Sequence, residues 1–263
     1  MTDLEAFVLG VIQGLTEFLP VSSSGHLVVL QALFGAEQQG ILFEVVVHVA
    51  TLASVLIFYR RRVGTLIVGS IRGDADARNY CLKLGVATLP AVLLVLVAGD
   101  ILDALFESPA AAGTGFLITG GILWTTRKTA PAAQLSGPGW RAALLIGCAQ
   151  ALAIVPGISR SGATVGAALA LGVAPLAAAE FSFLMSVIAI LGAAIRALPE
   201  LGSAPSAAIA PLAIACASAL VCGVAAIWLF LRLLQTCAFH YFAYYTWAIG
   251  FAVFVGLAIA GGR

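Results

Sequence analysis

Long apolar stretches alternate with short polar clusters along the whole 263-residue chain. A helix that crosses a bilayer needs about 20 predominantly apolar residues. Six segments meet or approach that length, at about 41–59, 80–103, 113–127, 175–196, 207–233 and 239–261. The third is short, ends at Arg127-Lys128, and carries glycines and threonines that blur its limits. The stretches 4–34 and 141–172 are of another kind: each is an apolar arm, a break rich in Pro, Gly and Ser, and a second apolar arm. Neither arm is long enough to span alone, which predicts a re-entrant helix–loop–helix hairpin in each stretch. Irregular backbone at membrane depth is tolerated only where protein or a water-filled cavity covers it.

The two breaks share one register, 137 positions apart. Gly10, Gln13, Leu15, Ser22, Ser24 and Gly25 match Gly147, Gln150, Leu152, Ser159, Ser161 and Gly162 without a gap. Each half, approximately 1–130 and 139–263, reads as one hairpin followed by three spans. Three is odd, so the second half must enter the membrane inverted relative to the first. The expected fold is therefore an all-α integral membrane protein forming a single polytopic domain over 1–263. It has six transmembrane helices, two re-entrant hairpins and an inverted-topology repeat, an architecture that puts its site near the repeat interface.

Composition agrees. The chain is 62% hydrophobic and 10% charged, against roughly 25% charged residues in soluble domains. A formal net charge of +1 gives no basis for a nucleic-acid partner. The acidic start, Met1-Thr-Asp3-Leu-Glu5, argues against a cleaved signal peptide, which would carry a basic leader. The five cysteines have no metal-ligand spacing and read as packing residues. Basic residues gather between spans one and two (Arg60, Arg61, Arg62, Arg72, Arg78, Lys83) and between three and four (Arg127, Lys128, Arg141). Asp100, Asp103 and Glu107 lie between spans two and three. The positive-inside rule then makes the basic loops cytoplasmic and both termini external, so the first hairpin enters from outside and the second from the cytoplasm. Arg232 agrees with this orientation, whereas Arg196 and Arg263 run against it. Spans rich in Ala and Gly permit close helix packing and with it a homodimer.

The candidate chemistry sits in the breaks. Gln13 and Glu17 are four residues apart and share a helix face. A carboxylate inside a membrane segment is costly and points to function. Glu17 can ligate a hard cation through oxygen or act as a base; the structural alternative is a buried hydrogen bond. Ser22, Ser23 and Ser24 stand where a helix is capped, and such a terminus suits a phosphate. Ser23 and His26 are close enough on one face to be a nucleophile with its base; simple capping is the alternative. In the second break, Arg160 offers a planar fork for phosphate oxygens, with Ser159, Ser161, Gly162 and Thr164 adding donors at another helix N-terminus. Arg160 can equally pair with Glu17 or Glu180 and hold the hairpins together. Glu44 and Glu180 occupy the first span of each half, and a structural role is expected for both; His48, one turn after Glu44, is a partner for it. His240 falls in an aromatic belt and Arg60 to Arg62 read as topology determinants.

Three segments are similar to the undecaprenyl-diphosphate phosphatase family of bacterial membranes, the bacitracin-resistance type. They are Gln13-Gly-Leu-Thr-Glu17-Phe-Leu-Pro-Val-Ser-Ser-Ser-Gly-His26, Phe43-Glu44-Val45, and Pro156-Gly-Ile-Ser-Arg-Ser-Gly-Ala-Thr164. The resemblance covers essentially the whole chain. It implies removal of the terminal phosphate from a C55 isoprenyl diphosphate, a polyprenyl diphosphate lipid, giving the carrier lipid for peptidoglycan synthesis and conferring bacitracin resistance. It implies a divalent cation, Mg²⁺ or Ca²⁺, held at Glu17 and Gln13, and a catalytic set of Ser23, His26, Glu17 and Arg160. It also implies substrate contacts at Ser22, Ser24, Ser159, Ser161, Gly162 and Thr164. Many relatives have a carboxylate where this chain has Gln13, which here removes one negative charge from the cation site. The implied location is the bacterial inner membrane; the positive-inside reading makes the site open to the periplasmic face, because the hairpin carrying Glu17 and His26 enters from outside. A second class, an inverted-repeat transporter or lipid flippase for a phosphate-bearing substrate, fits the same architecture.

Overall fold

The computed structural model describes residues 2–34, 41–201 and 209–261. Its helices in chain order are α1 (Asp3–Phe18), α2 (Ser23–Phe34), α3 (Ile41–Phe58), α4 (Arg60–Arg72), α5 (Ala75–Phe106) and α6 (Pro109–Thr129). After a single 3₁₀ turn come α7 (Trp140–Leu152), α8 (Arg160–Ala170), α9 (Pro175–Leu201), α10 (Ile209–Gln235) and, after a second 3₁₀ turn, α11 (Phe242–Gly261). Among the described residues four helices are long and apolar enough to cross a membrane, within α5, α9, α10 and the 238–260 stretch that contains α11. Their outward faces are apolar: Leu96 and Val97 on α5 are 76% and 85% exposed. Such faces are stable only against lipid, so the chain is an all-α integral membrane protein.

Two elements differ from the sequence expectation. The second span extends from 80–103 to the full 32 residues of α5, with Pro90 inside and a break in helical geometry at Ala98. The arginine-rich connection after span one is helical rather than a loop. Its end is set by Gly73, whose φ of +89° suits glycine and lets the Asp74 N–H reach the Gly69 carbonyl at 2.9 Å. The first two residues of the expected span 207–233 lie outside the described residues.

Packing crosses between the halves. α1 lies along α10 and α7 lies along α5. The matched glycines make both contacts possible. A Cβ on Gly10 would stand 2.4 Å from the Ala215 carbonyl oxygen, and one on Gly147 would stand 2.2 Å from that of Ala87. Small residues at such seams let backbones approach in a medium with no hydrophobic drive between helices. α3 meets α9, and α6 meets α11. Beneath the breaks, Phe18, Phe183, Phe230 and Phe239 form a run of edge-on ring contacts at 5.6, 5.1 and 5.3 Å. These rings are fully or almost fully buried and fix the last turn of α1, which carries Glu17.

Candidate active site

α1 stops where its sequence requires. Leu19 precedes Pro20, which disfavours helical geometry at Leu19, and that residue is extended at ψ 147°. The chain turns through Ser22, whose φ of +65° lies in the left-handed region. A non-glycine residue in that region holds strain of order 1–3 kcal/mol, of a kind that clusters at functional sites. The next helix is capped by the Ser22 hydroxyl, which accepts the Gly25 N–H at 3.3 Å. The second break repeats this device: Ser159 Oγ accepts the Gly162 N–H at 3.1 Å. Ser24 Oγ lies 3.3 Å from Ser22 Oγ, and Ser161 Oγ lies 3.2 Å from Ser159 Oγ. The matched serines and glycines of the sequence are thus two copies of one N-cap.

The two breaks dock on each other reciprocally. A Cβ on Gly25 would stand 2.7 Å from Gly157 Cα, and one on Gly162 would stand 3.4 Å from Pro20 Cβ. Positions 20 and 157 are themselves equivalent in the 137-residue register. Ser161 Oγ adds a 3.3 Å bond to the Leu19 carbonyl. α6 provides the floor. Thr119 Oγ1 donates to the Gly157 carbonyl at 2.8 Å and accepts the Ser159 N–H at 2.9 Å. Gly115 permits the approach, since a Cβ there would stand 2.2 Å from the Pro156 carbonyl oxygen.

This docking brings Glu17 to the junction, its side chain 5% exposed. Arg160 Nη2 donates to Glu17 Oε1. Ser23 Oγ donates to Oε2 at 2.7 Å, and Gln13 Nε2 donates to Oε2 at 3.1 Å. His48 Nε2, from α3, stands 3.6 Å from the same oxygen. Ser23 and Arg160 are equivalent positions in the register, each the first residue of its helix. One carboxylate therefore collects the differing side chains of two equivalent helix starts. A buried carboxylate tolerates its position only with such partners.

His26 faces elsewhere. Its Nδ1 meets the Ser22 carbonyl at 2.7 Å and its Nε2 meets the Tyr245 hydroxyl at 2.8 Å. A carbonyl only accepts, so Nδ1 carries a proton; in a neutral ring Nε2 then accepts the Tyr245 O–H. Tyr245 stacks on the imidazole at 5.8 Å, and Phe116 packs edge-on at 5.0 Å. The Ser23–His26 pairing expected from spacing is not formed: the Ser23 hydroxyl goes to Glu17, and the aromatic slot between α6 and α11 turns the imidazole away. Thr164 is tied off as well, donating to the Arg160 carbonyl at 2.7 Å and lying 2.6 Å from Ser182 Oγ. Glu180 takes its partners elsewhere than Arg160, accepting from Arg62 Nε at 2.8 Å and from Tyr80 at 3.1 Å. The side chain of Glu44 lies outside the described residues. His240 packs against Trp124 and Tyr241, as an aromatic belt predicts.

Thr119, Gly115, Phe116 and Tyr245 escaped the sequence reading. A signal for the first two existed: the density of Gly and Thr in 113–120 that blurs the third span is what lets the second break seat on α6. Tyr245 left no comparable trace in its aromatic stretch.

A buried oxygen suits a hard cation. Gln13 Oε1 has no hydrogen-bond partner among the described residues. Flipping the amide would not help, because it would turn that oxygen toward the Glu17 carboxylate. Among the described residues no three of His, Cys, Asp and Glu converge as metal ligands. The donors present, one carboxylate and one amide oxygen, fit a cation such as Mg²⁺ that takes its other ligands from phosphate and water.

Fold and site together define a helical membrane protein with a buried carboxylate–serine–arginine centre built from two docked helix breaks. The chain belongs to the family described as bacitracin resistance protein BacA, which matches residues 6–252. It is 38% identical over 265 residues to an undecaprenyl-diphosphatase of Desulfosudis oleivorans, covering 95% of this chain and 97% of that relative. It is 39% identical to one of Desulfatibacillum aliphaticivorans, covering 96% and 98%. A third, from Carboxydothermus hydrogenoformans, is 36% identical with 97% of both chains covered.

Proposed function

We propose that this protein hydrolyses undecaprenyl diphosphate to the monophosphate and phosphate at the Glu17–Ser23–Arg160 junction. Family membership and the relatives' activity support the substrate. The observation that carries the chemistry is the 2.7 Å bond from the Ser23 hydroxyl to the Glu17 carboxylate, beside a guanidinium. Glu17, rather than His26, is positioned to take the serine proton.

Ser23 Oγ attacks the terminal phosphorus while its proton passes to Glu17 Oε2. The bond from phosphorus to the bridging oxygen breaks, and lipid monophosphate leaves. Water then attacks the phosphoserine, the P–Oγ bond breaks, and the Glu17 proton returns to Ser23. Arg160 uses only part of its fork on Glu17, and its remaining donors stabilise charge on the transferring phosphoryl group. The N–H groups of two helix starts add to that field. A divalent cation held by Glu17 and Gln13 would neutralise phosphate oxygens.

The hairpins and topology belong to the same reading. The reciprocal contacts Gly25–Gly157 and Gly162–Pro20, with the crossed seams α1–α10 and α7–α5, support an inverted repeat of halves 1–130 and 139–263. α1–α2 and α7–α8 are its re-entrant hairpins, and α3, α5, α6, α9, α10 and α11 its six spans. Basic connections read as cytoplasmic support an opening toward Glu17 on the periplasmic side.

Purified Ser23→Ala should lose at least about a thousandfold in turnover of a polyprenyl diphosphate. Label from the terminal phosphate should be trapped on the parent protein and not on the variant. Chelation should abolish phosphate release in detergent, and Mg²⁺ or Ca²⁺ should restore it. Full activity in Ser23→Ala would remove the serine from the mechanism; metal-independent turnover would remove the cation.

Tyr245 fixes the His26 ring. Tyr245→Phe keeps the stack and deletes the hydroxyl, and should lower stability in thermal unfolding by about 1 kcal/mol, the worth of one ordinary hydrogen bond. Tyr245→Ala should do more, because the ring then loses its wall. Equal effects of the two substitutions would mean that the hydroxyl has no role of its own.

A further inference from the structure

Among the described residues α4 contributes no partner to Glu17, yet its two faces are sharply different. One face is committed to the protein. Leu66 is buried, Val63 packs on the core, and Arg62 reaches Glu180 and lies 4.8 Å over the Tyr80 ring. At 3.6 residues per turn, Gly64, Ile67 and Ile71 share one outward line and Val68 borders it. Ile67, Val68 and Ile71 are 54%, 45% and 78% exposed. The outer face of a helix on a water-soluble surface is polar; here it is apolar.

The same helix cannot lie deep in hydrocarbon. Arg60, Arg61 and Arg72 are all exposed, and charged side chains are costly at the bilayer centre. Arg61 and Arg72 stand on one line down the helix, eleven residues apart, and bracket the apolar stripe with about 16 Å between them. From Arg60 to Lys83 six basic residues face two acidic ones, Asp74 and Asp76. Asp74 is occupied as the cap of α5, accepting the Asp76 N–H at 3.0 Å. Neither Arg61 nor Arg72 has an ion pair among the described residues. Two grooves border the helix: one of about 410 Å³ along Phe58–Arg62, and one of about 520 Å³ that includes Gly64, Val68 and Arg72.

We propose that α4 is an interfacial helix that binds anionic phospholipid headgroups. Ile67, Val68 and Ile71 sit at the boundary of the acyl chains, while Arg60, Arg61 and Arg72 hold the lipid phosphates. Apolar burial and attraction to anionic lipid are the two terms that fix such helices. The phosphodiester of a membrane lipid is the occupant because the charge is basic, linear and flanked by acyl-compatible surface.

The full-length protein in nanodiscs tests this. Ile71→Trp adds one indole to the apolar line, read as the difference from the parent. Brominated acyl chains should quench that difference signal and aqueous acrylamide should not; the reverse result would put the face in water, or under a soluble partner, and overturn the proposal. In mixed discs of phosphatidylglycerol and phosphatidylcholine, native mass spectrometry should find phosphatidylglycerol enriched on the parent. The triple variant Arg60→Gln/Arg61→Gln/Arg72→Gln should lose that enrichment by at least tenfold, since each surface arginine contributes about fivefold. Unchanged enrichment in the triple variant would overturn the headgroup contact. Phosphatase turnover at saturating substrate in detergent should be unaltered in both variants, which separates this inference from the assignment of the catalytic junction.

Discussion

Arg160→Ala should abolish phosphate release and also destabilise the fold. The guanidinium is paired with the Glu17 carboxylate, whose side chain is 5% exposed. Breaking a buried pair from one side leaves the other charge uncompensated, at a cost of about 3–5 kcal/mol. Losing an arginine that neutralises a transferring phosphoryl group costs about a thousandfold or more in rate. The two effects are separable. Adding Glu17→Gln to Arg160→Ala removes the stranded charge, so most of the lost stability should return while turnover stays absent. Thermal unfolding and phosphate release, measured on both single variants and the double, check this. Additive stability losses would mean that the pair is not coupled. Recovered turnover in the double variant would mean that neither residue takes part in the chemistry.

Gly157→Ala should be the most damaging substitution that touches no charged group. Gly157 has φ +86°, and an added Cβ would stand 2.1 Å from the Ala112 carbonyl oxygen. Left-handed strain and overpacking together give a loss of roughly 2–4 kcal/mol. The second effect is on position. Gly157 is held by Thr119, which also holds Ser159, the residue that caps the helix beginning at Arg160. A shift of about 1 Å in a group that aligns reacting atoms can cost a hundredfold. Turnover should therefore fall about a hundredfold even at temperatures where the variant stays folded. Gly115→Ala presses on the same loop from α6 and should act in the same direction. Gly121→Ala in that helix meets nothing within 4 Å and should be neutral or slightly stabilising. Equal behaviour of Gly115→Ala and Gly121→Ala would show that docking of the second break on α6 does not matter.

These predictions rest on features of unequal visibility in the sequence. Membrane insertion, the two helix breaks and the matched caps are local: they follow from apolar length, from Pro20 and Pro156, and from serines three residues ahead of a glycine. Glu17 and Arg160 were legible because a charge in an apolar segment stands out against its neighbours. The arginines after span one were legible as charge but not as helix, because their apolar partners Leu66, Ile67, Val68 and Ile71 alternate with glycines.

The sequence by itself determined that this protein is built in lipid, that two polar breaks exist, and which residues carry their charge. Tertiary structure alone decided how those residues pair. Spacing within α2 pairs Ser23 with His26; docking gives Ser23 to Glu17 and His26 to Tyr245, 219 positions away. The physical reason is that a hydrogen-bond partner is chosen by where rigid helices bring backbones into contact. Here that contact is admitted by Gly25, Gly115 and Gly157, residues that leave room for it by lacking a side chain.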